Sequence, residues 1–242
     1  MKEEPVDTIE YRGRQIKIYQ DDDPQDPRKD FDPLGTMVCF HSRYSLGDVE
    51  KPGEPDNYLR RLAYECGTPI DTDNCEMGTI WKILDRHYLF LSLYLYDHSG
   101  ITMRCHPFSC PWDSGQIGWI YMSHAKIREN WSVKCVRHKV KHHLRGRIKA
   151  IDYARQCLEG EVETYNHYLT GNVYGYDTGG DSCRGYYGHN HKESGLLEQA
   201  ESAIDCQIES ERKEHIKNLK AMIRGKVGLD HRTPLALTGV NR

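Results

Sequence analysis

The sequence predicts an α+β fold: a mainly antiparallel sheet of hairpins, with helices packed on one face and a long C-terminal helix. Three observations carry this. The stretch YLFLSLYLYD, residues 88–97, alternates strictly between leucines and mostly aromatic residues, the period of a strand. Residues 7–20 and 172–189 each read as a hairpin, turning at Arg12-Gly13 and at Gly179-Gly180. Residues 136–169 and 192–224 carry apolar side chains at spacings of three and four, the period of a helix. Hairpin strands with helices between and after them give α+β rather than a parallel α/β sheet.

The elements follow in order. In the first hairpin Ile16 and Ile18 share a face. DDDPQDPRKDFDP, residues 21–33, holds three prolines and six aspartates, so it is a loop. GTMVCFH is a short apolar strand. Asp56 is placed to cap a helix over residues 57–66, which Gly67 stops, and a second helix covers 75–85.

In the strand at 88–97, Leu89, Leu91, Leu93 and Leu95 point one way; Tyr88, Phe90, Ser92, Tyr94 and Tyr96 point the other. A three-residue loop of His98, Ser99 and Gly100, with the glycine left-handed, closes a hairpin. It pairs Asp97 with Ile101, Leu95 with Met103 and Leu93 with Cys105. A two-residue loop would set Leu95 against Arg104 and break the apolar face. The other face then places Tyr96 beside Thr102, Tyr94 beside Arg104 and Ser92 beside His106.

QIGWIYM joins this sheet with Ile120 and Met122 inward and Trp119 and Tyr121 on the aromatic face, although Ile117 breaks the alternation. Ser123 caps a short helix, HAKIRENW. The helix at 136–169 has the stripe Val140, Leu144, Ile148, Ile151, Leu158, Val162, Tyr165 and Leu169, and Gly171 ends it. In the last helix Leu196, Leu197, Ala200 and Ile204 form a core face; Ile208, Ile216, Leu219 and Ile223 continue it amid charge. The expected division is one α+β domain over 1–204 with the acidic loop 21–34 inside it, a charged helical extension over 205–228 and a flexible tail over 229–242.

Composition narrows the function classes. The 242 residues carry sixteen tyrosines against four phenylalanines, and mean hydropathy is −0.76. Tyrosine suits half-wet surfaces. The net charge of −3 is unevenly spread. Residues 1–56 hold fourteen acidic and eight basic side chains, a net of −6; residues 124–155 hold ten basic and two acidic, a net of +8. Nine scattered cysteines, without framework spacing, and an acidic N-terminus without an apolar run point to free thiols in a reducing cytosol. The longest apolar run, YLFLSLYLY, is too short to span a bilayer.

Reactive-looking residues are plentiful. Cys105, His106 and Cys110, the Cys39/His41 pair and the His189/His191 pair lack the close ligand pairs of a structural zinc site. Cys105 faces the leucine core and His106 faces away, so Cys39 and Cys105 read as small buried hydrophobes. No metal or cofactor is predicted; the set that could gather around an ion is Asp97, His98, His189 and His191. The acidic loop lacks the glycine and glutamate of a calcium-binding loop. Ser114 in WDSGQ lacks the glycine before it that a nucleophile elbow needs, and no phosphate-binding glycine loop is present.

Two surfaces suit binding. Arg137, Lys139, Lys141, Arg145, Arg147 and Lys149 fall within four helical turns and suit nucleic-acid phosphates, or else form a solvated outer face. Tyr94, Tyr96, Arg104, His106 and Trp119 form an aromatic sheet face suited to a partner, unless the 57–66 helix or the acidic loop covers it.

Taken in order, DPLGTMVCFHSRYSLGD, YDHSGITM, CPWDSGQIGWIY and YLTGNVYGYDTGGDSCRGYYG resemble a family of uncharacterised proteins encoded by bacteriophages and prophages. The likeness runs from about Tyr11 to Ile204. It implies a viral origin and a bacterial cytoplasmic setting; it implies no activity, and no catalytic residue carries over. The expectation is an accessory factor, not an enzyme, that binds a host or phage macromolecule through the aromatic face, the basic helix or both, without a membrane. The alternative is a metal-dependent hydrolase of nucleic acid or nucleotides, with Asp97, His98, His106, Asp113 and His189 converging at hairpin ends.

Overall fold

The computed structural model describes residues 4–67, 71–131 and 150–226. They form an α+β structure with two four-stranded antiparallel sheets. The chain divides into two compact units: Met1–Gln20, Tyr174–Tyr186 and Asn190–Arg242 in one, Asp21–Val173 and Tyr187–His189 in the other.

The first unit is built from two hairpins and a helix. Strands β1 (Asp7–Tyr11) and β2 (Arg14–Gln20) pair with Tyr11 opposite Arg14, leaving Arg12 and Gly13 as a two-residue turn. Both have positive φ, 50° and 75°, as the mirror-image hairpin turn requires. Arg12 is held there by an ion pair to Asp205 at 2.9 Å.

Two later strands, β7 (Val173–Asp177) and β8 (Ser182–Tyr187), complete the order β1-β2-β7-β8, and the second hairpin turns at Gly179-Gly180 as expected. Helix α5 (Leu196–Lys226) lays Leu196, Leu197, Ala200 and Ile204 over Ile16, Ile18 and Tyr176. Gln207 links the hairpins, accepting from Arg14 at 3.0 Å and donating to Thr178 at 3.0 Å. Past Ile208 the helix keeps its apolar period, but Ile216, Leu219, Met222 and Ile223 are exposed.

The second unit centres on the strand that the sequence marks most clearly. Strands β3 (Thr36–Cys39), β4 (Tyr88–Asp97), β5 (Ile101–Arg104) and β6 (Ser114–Ser123) lie in the order β3-β6-β4-β5. Leu89, Leu91, Leu93 and Leu95 are buried, with Met37, Met103, Ile120 and Met122 beside them. Helix α4 (Ala150–Leu169) covers this face with Ala154, Leu158, Val162 and Tyr165.

The hairpin register is the expected one: Asp97 opposite Ile101, Leu95 opposite Met103, Tyr94 opposite Arg104. Two details differ. Ser99, at φ 57°, takes the left-handed position, while Gly100 sits at 148°. Strand β5 ends at Arg104, so the expected pair of Leu93 with Cys105 does not form. The break at Ile117 is a bulge: Leu93 opposes Gly118 and Tyr94 opposes Gln116, leaving Ile117 as the extra residue. Gly118 is required beside it, because a Cβ there would lie 1.9 Å from the Val38 carbonyl oxygen.

The sheet's other face is also covered over much of its length. Helices α1 (Pro55–Glu65) and α2 (Met77–His87) pack Tyr58, Leu59, Leu62, Ile80, Ile83 and Leu84 against Val38, Phe90, Trp119 and Tyr121. The α+β class stands, but helices flank this sheet on both sides because the aromatic strand positions are apolar enough to be buried. Tyr58 and Tyr121 satisfy each other's hydroxyls at 2.7 Å inside that layer. Helix α1 starts two residues before the expected boundary, with Glu54 rather than Asp56 at the N-cap position and no side-chain bond capping it. Short α3 (His124–Asn130) is capped by Ser123, whose hydroxyl accepts from the Lys126 amide at 3.1 Å.

The acidic loop is anchored. Arg28, its side chain 1% exposed, donates to both Asp48 oxygens at 2.8 and 2.6 Å, to Glu161 at 2.8 Å and to the Gly35 carbonyl at 2.8 Å. Asp48 also accepts from the Met37 amide, and Glu161 from the Leu34 amide, both at 2.7 Å. Burial works against the Arg28 charge, yet Asp48 and Glu161 outweigh it and raise the pKa above its ordinary value. Arg28→Met would strand two carboxylates and is expected to cost about 3–5 kcal/mol. Urea unfolding checks this; a loss below about 1 kcal/mol would show that the cluster is not structural.

Candidate functional site

At one end of the second unit's sheet, three connecting segments meet: the loop after β3, the β4–β5 turn and the turn leading into β6. The last is CPWDS. Proline fixes φ after Cys110, the Ser114 hydroxyl closes the turn onto the Cys110 carbonyl, and the Asp97 amide donates to the Asp113 carbonyl at 2.8 Å. The Asp113 carboxylate accepts from the Cys110 thiol at 3.7 Å and lies 3.6 Å from His98. This braced turn holds up Trp112, which is 93% exposed.

Across from it, Arg43 forms an ion pair with Asp97, to which the Tyr44 hydroxyl also donates at 3.3 Å. His41 stacks on Tyr44 with ring centroids 4.9 Å apart, and its Nδ1 accepts from the amides of Arg43 and Tyr44 at 3.2 and 3.3 Å. Between these walls lies an open cleft of about 330 Å³ with Leu95 and Ile117 among its lining residues.

The expected aromatic site divides. Trp119 is taken into the core layer, edge-on to Trp81 at 5.5 Å and to Phe40 at 5.7 Å, so it is not part of an open face. Tyr94 and Tyr96 are half-buried and Arg104 is exposed at the end that the helices leave open. The Arg104 guanidinium lies 3.8 Å above the Phe108 ring and donates to the His106 and Pro107 carbonyls at 2.9 and 2.5 Å. Tyr96 meets Phe108 at 5.5 Å. His106 contributes its carbonyl to this group and its side chain is exposed; strand β5 ends before it could sit opposite Ser92.

Residues that pattern reading left out are Arg43, Tyr44, Phe108 and Trp112. The one available signal was a tryptophan in a proline-led turn, where burial has nothing to offer it. The basic run Arg137, Lys139, Lys141, Arg145, Arg147 and Lys149 lies outside the described residues, as does the 136–149 part of the helix expected over 136–169.

Of the residues grouped around metal chemistry, Asp97 is engaged by Arg43, and His98 meets Asp113. His189 faces His167 at 6.3 Å, and His191 stands edge-on to Tyr174 at 4.9 Å. Among the described residues no three His, Cys, Asp or Glu side chains are grouped to hold an ion. Among them too, no helix is long and apolar enough to cross a membrane. Comparisons with protein-family models, curated proteins and solved structures gave no match.

The thiols behave as packing groups. Burial, with Asp48 adding to it and Arg28 opposing, pushes the Cys39 thiol up to about 12; burial and Glu159 push Cys105 up to about 11. The thiolate is the reactive form, so at pH 8 both are expected to resist a thiol reagent while exposed Cys183 and Cys206 are modified. Mass mapping reads this directly, and equal labelling of Cys39 and Cys183 would contradict it.

Tryptophan fluorescence distinguishes the two halves of the aromatic site. Iodide is expected to quench mainly Trp112, so Trp112→Phe should remove most of the quenchable emission and change stability by under about 0.5 kcal/mol. Trp119→Ala should cost about 2–4 kcal/mol, since its ring packs in the core layer.

Proposed function

We propose that this protein is a phage-encoded accessory factor that works in the host bacterial cytoplasm by binding a macromolecule, through the open end of its second-unit sheet. The origin and setting rest on the four motifs quoted above. One observation carries the binding role: Trp112 is held 93% exposed on a turn that hydrogen bonds brace from both sides. A large apolar side chain fixed in water gains nothing for the fold. It matches the anchor residues of interfaces, where Trp, Tyr and Arg dominate the binding energy. Arg43, Tyr96 and the Arg104–Phe108 stack supply the same residue types nearby in sequence order around the three turns.

The hydrolase alternative draws less support from the same region. Of Asp97, His98, His106, Asp113 and His189, the contacts join Asp113 to His98 and, through the backbone, to Asp97. A catalytic constellation needs its acid, base and ligand atoms within hydrogen-bond or bonding reach of one point.

The test is capture from bacterial lysate on immobilised protein, with wild type and Trp112→Ala compared quantitatively. The expected result is a partner retained by wild type and weakened about thirtyfold or more by the substitution, the loss of about 2 kcal/mol typical of a central anchor. Salt titration and nuclease treatment then assign its class, since phosphate contacts weaken steeply with salt. Identical retention by both proteins would overturn the proposal, and a stoichiometric transition metal in the purified protein would favour the hydrolase instead.

A further inference from the structure

The cleft beside Trp112 lies along a strand edge. Strand β6 pairs with β3 only from Gly118 to Tyr121, and one further bond, from the Phe40 amide to the Ile117 carbonyl at 2.6 Å, ends that ladder. Among the described residues, its first residues, Ser114 to Gln116, have register partners on the β4 side alone. The loop after β3 turns away here, and the cleft opens between His41 and Arg43 on one side and Ser114, Gly115 and Ile117 on the other.

The direction of the backbone groups follows from the ladder. In an antiparallel pair, hydrogen-bonded residues alternate with non-bonded ones. Asp97 bonds to Asp113, so Leu95 and Gly115 are the next bonded pair, and the pairs Tyr96/Ser114 and Tyr94/Gln116 are non-bonded. The amides and carbonyls of Ser114 and Gln116 therefore point away from β4, into the lane that β3 vacates. An unpaired edge of this kind recognises extended main chain.

Resting on the binding role proposed above, we infer that the partner is a protein and that it docks by strand addition: an extended segment lies along Ser114–Gln116, beside Trp112. The three open residues of β6 span about 10 Å, so the segment pairs over about three residues. Leu95 and Ile117 line the cleft and suit an apolar side chain facing inward. The lining holds two carboxylates, Asp97 and Asp113, against one guanidinium, Arg43, so it favours a Lys or Arg on the segment beside Asp113. The volume of about 330 Å³ is at the small end of ligand sites, as fits one short segment.

The probe is a displayed library of random dodecapeptides selected on the full-length protein, with an enriched peptide synthesised for anisotropy titration. The expected peptides alternate apolar residues with Lys or Arg, and binding slows amide exchange at Ser114 and Gln116 in the wild type. Gln116→Pro removes one amide facing the open lane and no bond to β4, a placement proline tolerates on an edge. It is expected to weaken the peptide by about tenfold or more, while Gln116→Ala stays within about threefold. Trp112→Ala is expected to weaken it also.

Failure to enrich any peptide overturns strand addition. So does binding that Gln116→Pro leaves unchanged, or binding without slowed exchange at these two amides. If Trp112→Ala alone weakens the peptide, strand addition falls and the binding surface stands; if neither substitution acts, both fall. Should Gln116→Pro fail to fold, wild-type exchange decides alone. A single-stranded oligonucleotide that competes for Trp112 and ignores Gln116→Pro would place nucleic acid there instead.

Discussion

The second unit depends on one buried cation. Arg28 sits in a loop of aspartates, yet its guanidinium reaches Asp48, Glu161 and the Gly35 carbonyl at once. Each carboxylate also holds backbone at the start of the sheet: Asp48 the Met37 amide, Glu161 the Leu34 amide. A loop, the entry to β3 and the middle of α4 are thus joined at a single point. Any one of these groups left alone in that place would pay the desolvation of a charge without return, so the arrangement forms together or not at all. With β3 fixed there, its far end can turn away from β6 at Phe40, and that divergence creates the cleft.

The two sides of β4 then perform different tasks. The leucine side is closed by α4 throughout. The aromatic side is closed by α1 and α2 around Phe90, Trp119 and Tyr121 and is left free toward Tyr94 and Tyr96. A rigid three-layer body is what allows a short turn to present a tryptophan in a fixed place. For the binding role proposed above, order in such a side chain lowers the entropy lost on association.

Local features were legible in the sequence; long-range ones were not. The β4 alternation, the three-residue loop and its register follow from side-chain period and turn length within about twenty residues. Both glycine-marked hairpins and the Ser123 cap follow from similarly short patterns. In contrast Arg28 finds partners 20 and 133 residues away, and nothing in DPRKD separates it from a solvated arginine. Whether Trp119 was open or covered turned on where α1 and α2 pack, which their own amphipathic faces do not specify. The left-handed residue of the 98–100 loop fell to Ser99 although glycine stood next to it, since either can close a turn of that length.

The groups around the cleft differ in how far their hydrogen-bonding capacity is already used. Asp97 is held by Arg43 and Tyr44, His41 Nδ1 accepts two backbone amides, and Arg104 spends its donors on the His106 and Pro107 carbonyls while lying on Phe108. Groups engaged in this way stiffen the turns that carry them. Among the described residues, the indole face of Trp112 and the outward amides and carbonyls at the start of β6 have no partner. Those groups offer apolar contact and main-chain hydrogen bonds, the two contacts that the strand addition proposed above requires.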